Sequence, residues 1–233
     1  MTVMEALQIN EVYDDINQIA QDAAKESIRD GKKSYATRVK EQKKAADALR
    51  KALVASFDQY SARMKHGIEL LSQAGLLTKI DPTKITTFAA NLQSSRLSEA
   101  SVQDEIGLSD EDMLIIFEHG SEFFERQEYE SAADIFLLLT FFNGVVAPFW
   151  ISLGLAEERK QDFNAAGIAF LMASEVQEED MSWALRAADC YMKAKNENQA
   201  EKILDIIIDE AGHDPKHIAV KQAAQEMKNK RYV

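Results

Sequence analysis

Between Met113 and Asp214 the chain repeats itself three times with a period of 34 residues. Gly120 returns as Gly154 and then as Ala188, Ala132 as Ala166 and Ala200, and Phe136 as Phe170 and Leu204. Phe123 is matched two periods on by Tyr191. A period of this length marks an array in which each copy is one supersecondary unit. Such a unit cannot bury its apolar face alone and is stable only when stacked on its neighbours. The recurring residue types fit a pair of helices. A Gly or Ala at the eighth position lets the two helices of a unit approach closely, and the small residue at the twentieth gives the second helix room to nest. The aromatic or Leu four residues later lies on the same face and fills the space between units. Three units follow, at 113–146, 147–180 and 181–214.

The middle copy reads Trp150-x2-Leu153-Gly154 and then Ala166-x3-Phe170. This resembles the tetratricopeptide repeat, a helix–turn–helix unit. The closing Pro of that pattern is missing, with Gly144 and Glu178 in the first two places, and Glu197 stands where an aromatic often sits. The resemblance implies that the first helix of each unit lines an inner groove through its second, fifth, ninth and twelfth positions. These are Leu114, Phe117, Ser121 and Phe124, then Pro148, Ile151, Leu155 and Glu158, then Ser182, Leu185, Asp189 and Met192. Most are apolar. Repeats that grip a C-terminal carboxylate place Lys and Asn there, and these do not. A groove of this kind should hold an extended apolar peptide. Arg159 and Arg186, one position off the groove centre, are expected to bond peptide carbonyls and set direction.

The rest of the chain reads as helical. With 46% hydrophobic and 28% charged residues but only three Pro and nine Gly, the composition suits a soluble all-α protein. A first helix is expected over 4–30. A long second one over 34–74 carries the stripe Ala46, Leu49, Leu53, Phe57, Tyr60, Met64, Ile68, Leu71 and ends on Gly75 as C-cap. Asp81-Pro82 starts a third helix to about Gln93, and the Ser- and Glu-rich residues 94–108 read as a linker. Ser109 is the expected N-cap of the first repeat helix, with Asp112 at its third position and Leu108 stapling onto Met113. After Gly212 and Pro215, a helix over 216–230 with Ile218, Ala219, Ala223 and Met227 on one face is expected to cap the array. Two domains result, 1–108 and 109–233. The stripe Leu49, Leu53, Phe57, Tyr60 and Met64 is the expected self-association surface.

Charge is placed unevenly. Residues 1–108 carry fifteen basic and fifteen acidic side chains, so the repeat half, with twelve basic and twenty-four acidic, holds the whole net charge of −12. An acidic repeat domain argues against nucleic acid, whose phosphates need a basic surface. The single Cys excludes an intramolecular disulfide framework and suits a reducing compartment. No basic n-region opens the chain, and no apolar run approaches the ~20 residues that span a bilayer, so neither a signal peptide nor membrane insertion is expected.

No catalytic constellation emerges: there is no glycine-rich phosphate loop, nucleophile elbow or paired cysteine. His213 and His217 are four apart, but Pro215 between them breaks the helix that would make them a metal pair. Cys190 reads as a small buried thiol. Adjacent acids such as Glu157-Glu158 do not converge on one point and read as a solvated helix face. No cofactor, metal or enzyme activity is expected.

The repeat half further resembles the class II chaperones of bacterial type III secretion, the LcrH/SycD/IpgC group. The matching stretches are Phe149-Trp150-Ile151-Ser152-Leu153-Gly154, Gln161-Asp162-Phe163-Asn164-Ala165-Ala166 and Ala187-Ala188-Asp189-Cys190-Tyr191, the last against an Ala-Ala-Glu-Cys run. Such chaperones have three repeats and one further helix. The resemblance implies a bacterial cytoplasmic protein whose groove holds an N-terminal segment of a secreted, hydrophobic translocator and keeps it soluble for export. Typical members are short before the repeats and often dimerise there, whereas the long N-terminal part of this chain looks like chlamydial members. The alternative function, in a different class, is a scaffold or regulatory adaptor of a secretion apparatus that binds through the N-terminal helices.

Overall fold

The computed structural model describes residues 59–60, 62–76, 102–177, 180–212 and 215–230, and all regular structure among them is helical. The helices are α1 (62–73), α2 (Val102–Ile106), α3 (Asp110–Glu125), α4 (Tyr129–Phe142), α5 (Ala147–Arg159), α6 (Phe163–Val176), α7 (Ser182–Lys193), α8 (Glu197–Glu210) and, after a 3₁₀ turn at Pro215–His217, α9 (Ile218–Lys230). The expected helices over 4–30 and 81–93, the stripe residues Leu49, Leu53 and Phe57, and His213 lie outside the described residues.

The described residues fall into two compact units. In the first, 59–60 and 62–65 are helical. The second holds His66–Lys79, Ala100–Asp104 and Leu108–Val233. Within it α3/α4, α5/α6 and α7/α8 form the three helix pairs that the 34-residue period announces, each helix packed on the next in a solenoid-like series that α9 closes.

The turn inside each pair repeats in atomic detail. Gln127, Gln161 and Lys195, one period apart, sit in the left-handed region at φ 63°, 65° and 59°. After each of them an N–H reaches back five residues, Glu128 to Phe123, Asp162 to Glu157 and Asn196 to Tyr191, at 2.9–3.0 Å. These are Schellman closures built without glycine. Helix α1 ends the same way on Gly75 (φ +71°), with the Leu76 N–H on the Leu71 carbonyl at 2.9 Å. Helix α3 opens on the expected capping box, the Ser109 hydroxyl and the Asp112 carboxylate each accepting the other's backbone N–H at 3.1 Å.

The packing of each pair rests on one contact. A Cβ on Gly120 would lie 2.9 Å from the Phe136 ring, and one on Gly154 only 2.6 Å from the Phe170 ring. The ring of the second helix therefore occupies the place where the first helix has no side chain. In the third unit both partners change together: Ala188 brings a methyl and Leu204 replaces the ring, and both are buried in one cluster with Tyr191, Ala200, Ile203 and Ile207. Ala132, Ala166 and Ala200 are likewise buried. Helix α1 approaches α4 just as closely, since a Cβ on Gly67 would lie 2.5 Å from Leu138 and 2.8 Å from the Asp134 carbonyl oxygen. His66 Nδ1 pairs with the buried Asp134 carboxylate at 2.9 Å beside that contact.

Two expectations need correction. Residues 94–108 were expected as linker, yet 102–106 are helical: Gln103 is buried and doubly bonded, donating to Asp110 at 2.8 Å and accepting from Asn143 at 2.7 Å. Those two side-chain partners hold the segment, and neither is visible in local composition. The cap helix presents Val220, Ala224 and Met227 to the third unit, while Ile218 is 48% exposed. The methyl of Ala224 allows the close seat, so packing selects this stripe over the one through Ile218.

Gly154→Ala should gain about 0.5–1 kcal/mol of helix propensity and lose more to overpacking, about 1–3 kcal/mol, because the Phe170 ring is backed by Trp183 at 5.7 Å and cannot retreat. Denaturant melts should show Gly154→Ala destabilised. Adding Phe170→Leu should cost less in that variant than in the parent, reproducing the third unit's pairing; strict additivity would mean that the ring contact does not set the helix spacing.

Candidate functional site

The first helices α3, α5 and α7 carry the positions expected to form the groove. Ser121, Phe124 and Leu155 come together around a hollow of ≈ 140 Å³ whose lining is completed by Glu125, Phe136 and Ser152. Phe136, whose ring packs against Gly120, borders this space from below, so the residue that spaces the helices also supplies the floor. Phe124 stands edge-on to Tyr129 at 5.2 Å, which fixes one wall. The Ser121 hydroxyl donates to the Phe117 carbonyl at 2.9 Å.

The other expected positions are distributed differently. Phe117 is half-buried and packs against Phe136 and Phe149 at 5.6 and 5.8 Å, so its ring belongs partly to the core. Leu114 is exposed at the start of α3, and Ile151 is half-buried on α5. Leu185 and Met192 pack on the third-unit core, as do Val220 and Met227 of the cap helix. Arg159 is exposed.

In the third unit the first helix is charged. Glu158 accepts from Arg186 at 2.8 Å and from Lys193 at 2.9 Å, and Lys193 also meets Asp189 at 2.8 Å. Arg186 further lies over the Phe170 ring at 5.1 Å, so it is held in place rather than standing free for peptide carbonyls. Burial alone would push the Glu158 carboxyl up. The hydrogen bonds and charges of Lys193 and Arg186 more than offset this and hold it below its ordinary value. The hydrogen bonds that Lys193 donates to Asp189 and to Glu158 raise its ammonium above the ordinary value. Cys190 is buried beside this group, and desolvation pushes its thiol up to about 11, so it stays protonated and inert.

Glu157-Glu158 is not a solvated face. Glu157 is 1% exposed and paired with Lys160 at 3.1 Å. It occupies the column of Phe123 and Tyr191, both buried, so the period itself carried the signal that adjacency in sequence hid. Glu125, Ser152 and Phe136 were also missed as lining residues; the first two each adjoin an expected groove position, and Phe136 is a buried core column that also borders the hollow. Among the described residues no group of three His, Cys, Asp or Glu could hold a metal, and no helix is long and apolar enough to cross a membrane.

Because Glu158 is depressed in the folded chain, its contribution is present above the unfolded value near 4.5 and is lost as pH falls through the lower folded value. Glu158→Gln should therefore lower the unfolding free energy at pH 7, by less than about 1 kcal/mol given the exposed cations, and the difference from the parent should shrink below about pH 4. A difference that persists unchanged at pH 3 would contradict the assignment.

No protein-family model and no curated protein matches the chain. Among solved structures, the chain is similar to one in the CopN–Scc3 complex (23% identity over 57% of this chain and 78% of that one, TM-score 0.49). It is also similar to the Yersinia enterocolitica type III secretion translocator chaperone SycD (14%, 56% and 97%, TM-score 0.44). A third similar structure is PcrH in complex with the chaperone binding region of PopB (19%, 52% and 98%, TM-score 0.43).

Proposed function

We propose that the chain is a non-catalytic export chaperone of the bacterial cytoplasm that holds an extended apolar segment of a hydrophobic secreted translocator along α3 and α5. The observation that carries this reading is the hollow between Phe124 and Leu155, floored by Phe136 and rimmed by Ser121, Glu125 and Ser152. A dry apolar cavity of roughly 150 Å³ takes a benzene-sized group, so this one suits a single branched aliphatic side chain. Burial there contributes ~25 cal/mol per Å² of apolar area, less the cost of ordering the segment. The exposed Leu114 extends the apolar track toward the start of α3, and Ile151 extends it along α5. The ion-paired Arg186, Asp189 and Lys193 give the third unit a polar surface that suits a client residue outside the apolar anchor. The sequence resemblance to class II chaperones points to the same client chemistry, and PcrH is a structural neighbour that was solved in complex with the chaperone binding region of PopB.

Co-expression with a pore-forming translocator should keep it soluble, and the double variant Phe124→Ala, Leu155→Glu should bind the client's N-terminal segment at least ten-fold more weakly with an unchanged circular dichroism spectrum. A folded variant that binds as tightly as the parent would remove the groove from consideration.

We further propose that the chain pairs with itself through Leu49, Leu53, Phe57, Tyr60 and Met64, the reading that the long apolar stripe supports. Tyr60 is 41% exposed and Met64 half-buried. Sedimentation should give a dimer that Tyr60→Glu weakens; a monomer at micromolar concentration would overturn this.

A further inference from the structure

The repeat makes its second helices comparable position by position. In the first unit, Leu138 and Asp134 receive α1, with Gly67 pressed on Leu138 and His66 on the Asp134 carboxylate. The same two columns in the second unit are Ile168 and Met172, which are 47% and 38% exposed, and in the third unit the Leu138 column is Ile206, 53% exposed. Ile168 and Met172 are one turn apart on α6, with the exposed Asn164 and Glu175 on the same stripe. On α8, Ile206 shares its stripe with the exposed Lys202, Asp209 and Glu210. The outer face that takes a helix in the first unit thus continues as two apolar positions in the second and as Ile206 in the third, where the Asp134 column is Lys202; Glu175, Asp209 and Glu210 flank these positions, within the half of the chain that carries the whole net charge of −12.

We propose that the outer face of α6 and α8 is a docking surface for a basic amphipathic helix of another protein, distinct from the client held along α3 and α5. The α1 contact supplies the packing, and the exposed acids supply the charge. The docking helix should carry a Gly or Ala that lets its backbone approach Met172 or Ile206, apolar residues three or four positions away, and basic residues placed to face the acids rather than Lys202. Glu175, Asp209 and Glu210 complement its cations and favour its capture over that of an acidic helix.

The probe is a synthetic amidated peptide of residues 59–76, which brings Arg63, Lys65, His66 and Gly67 on one helix. Added to the full chain with ¹³C-labelled Met methyl groups, it should shift the Met172 signal, identified by its loss in Met172→Leu. Ile168→Glu with Met172→Glu should weaken binding at least ten-fold, whereas Leu155→Glu should leave it unchanged, which separates this face from the groove. Equal binding by a folded Ile168→Glu, Met172→Glu variant, or an unmoved Met172 signal at saturating peptide, would overturn the proposal. So would a concentration-dependent dimer that the double variant abolishes, since the occupant would then be a second copy.

Discussion

The close contact between a glycine in the first helix of a unit and an aromatic ring in the second is the constraint on which the structure depends. It brings the helices of the first two units near enough for the small residues Ala132 and Ala166 to be buried, and it lets Phe136 serve both as core and as floor of the hollow. Cores are close-packed, so a ring and a Cβ cannot share that space. The third unit meets the same constraint by exchange, with Ala188 and Leu204 in place of Gly and Phe. There the first helix turns to charge on its open side, and Leu185 and Met192 pack on the third-unit core.

One consequence is a division of labour along the first helices. The first two units present a recess with an aromatic floor, and the second and third meet in an ion-paired surface in which Glu158 of α5 and Lys193 of α7 stabilise each other's charged forms. A peptide lying across both would meet desolvated apolar ground first and screened charge second. Its affinity should come from the former and its register from the latter.

Much of this was legible in the sequence because period and residue size are local signals. Gly120, Gly154, Ala132 and Ala166 announced the helix pairs, Ser109 and Asp112 the start of the array, and Gly75 the end of α1. What escaped depends on neighbours distant in sequence. Gln103 is held by Asp110 and Asn143, so its helix looked like linker. Glu157 fills an aromatic column with Lys160 as partner and was hidden by the acid next to it. Arg186 was expected to meet peptide carbonyls but is held by Glu158 and the Phe170 ring. The left-handed residues Gln127, Gln161 and Lys195 form a column of their own, and no glycine flagged it.

The central claim, that a client lies along α3 and α5, is tested most directly by amide hydrogen exchange of the full chain with and without the client's N-terminal segment. The account predicts slowed exchange around Ser121–Glu125 and Ile151–Leu155 on binding, with α6 and α8 unchanged. Protection confined to α6 and α8, with α3 and α5 exchanging as in the free chain, would contradict it.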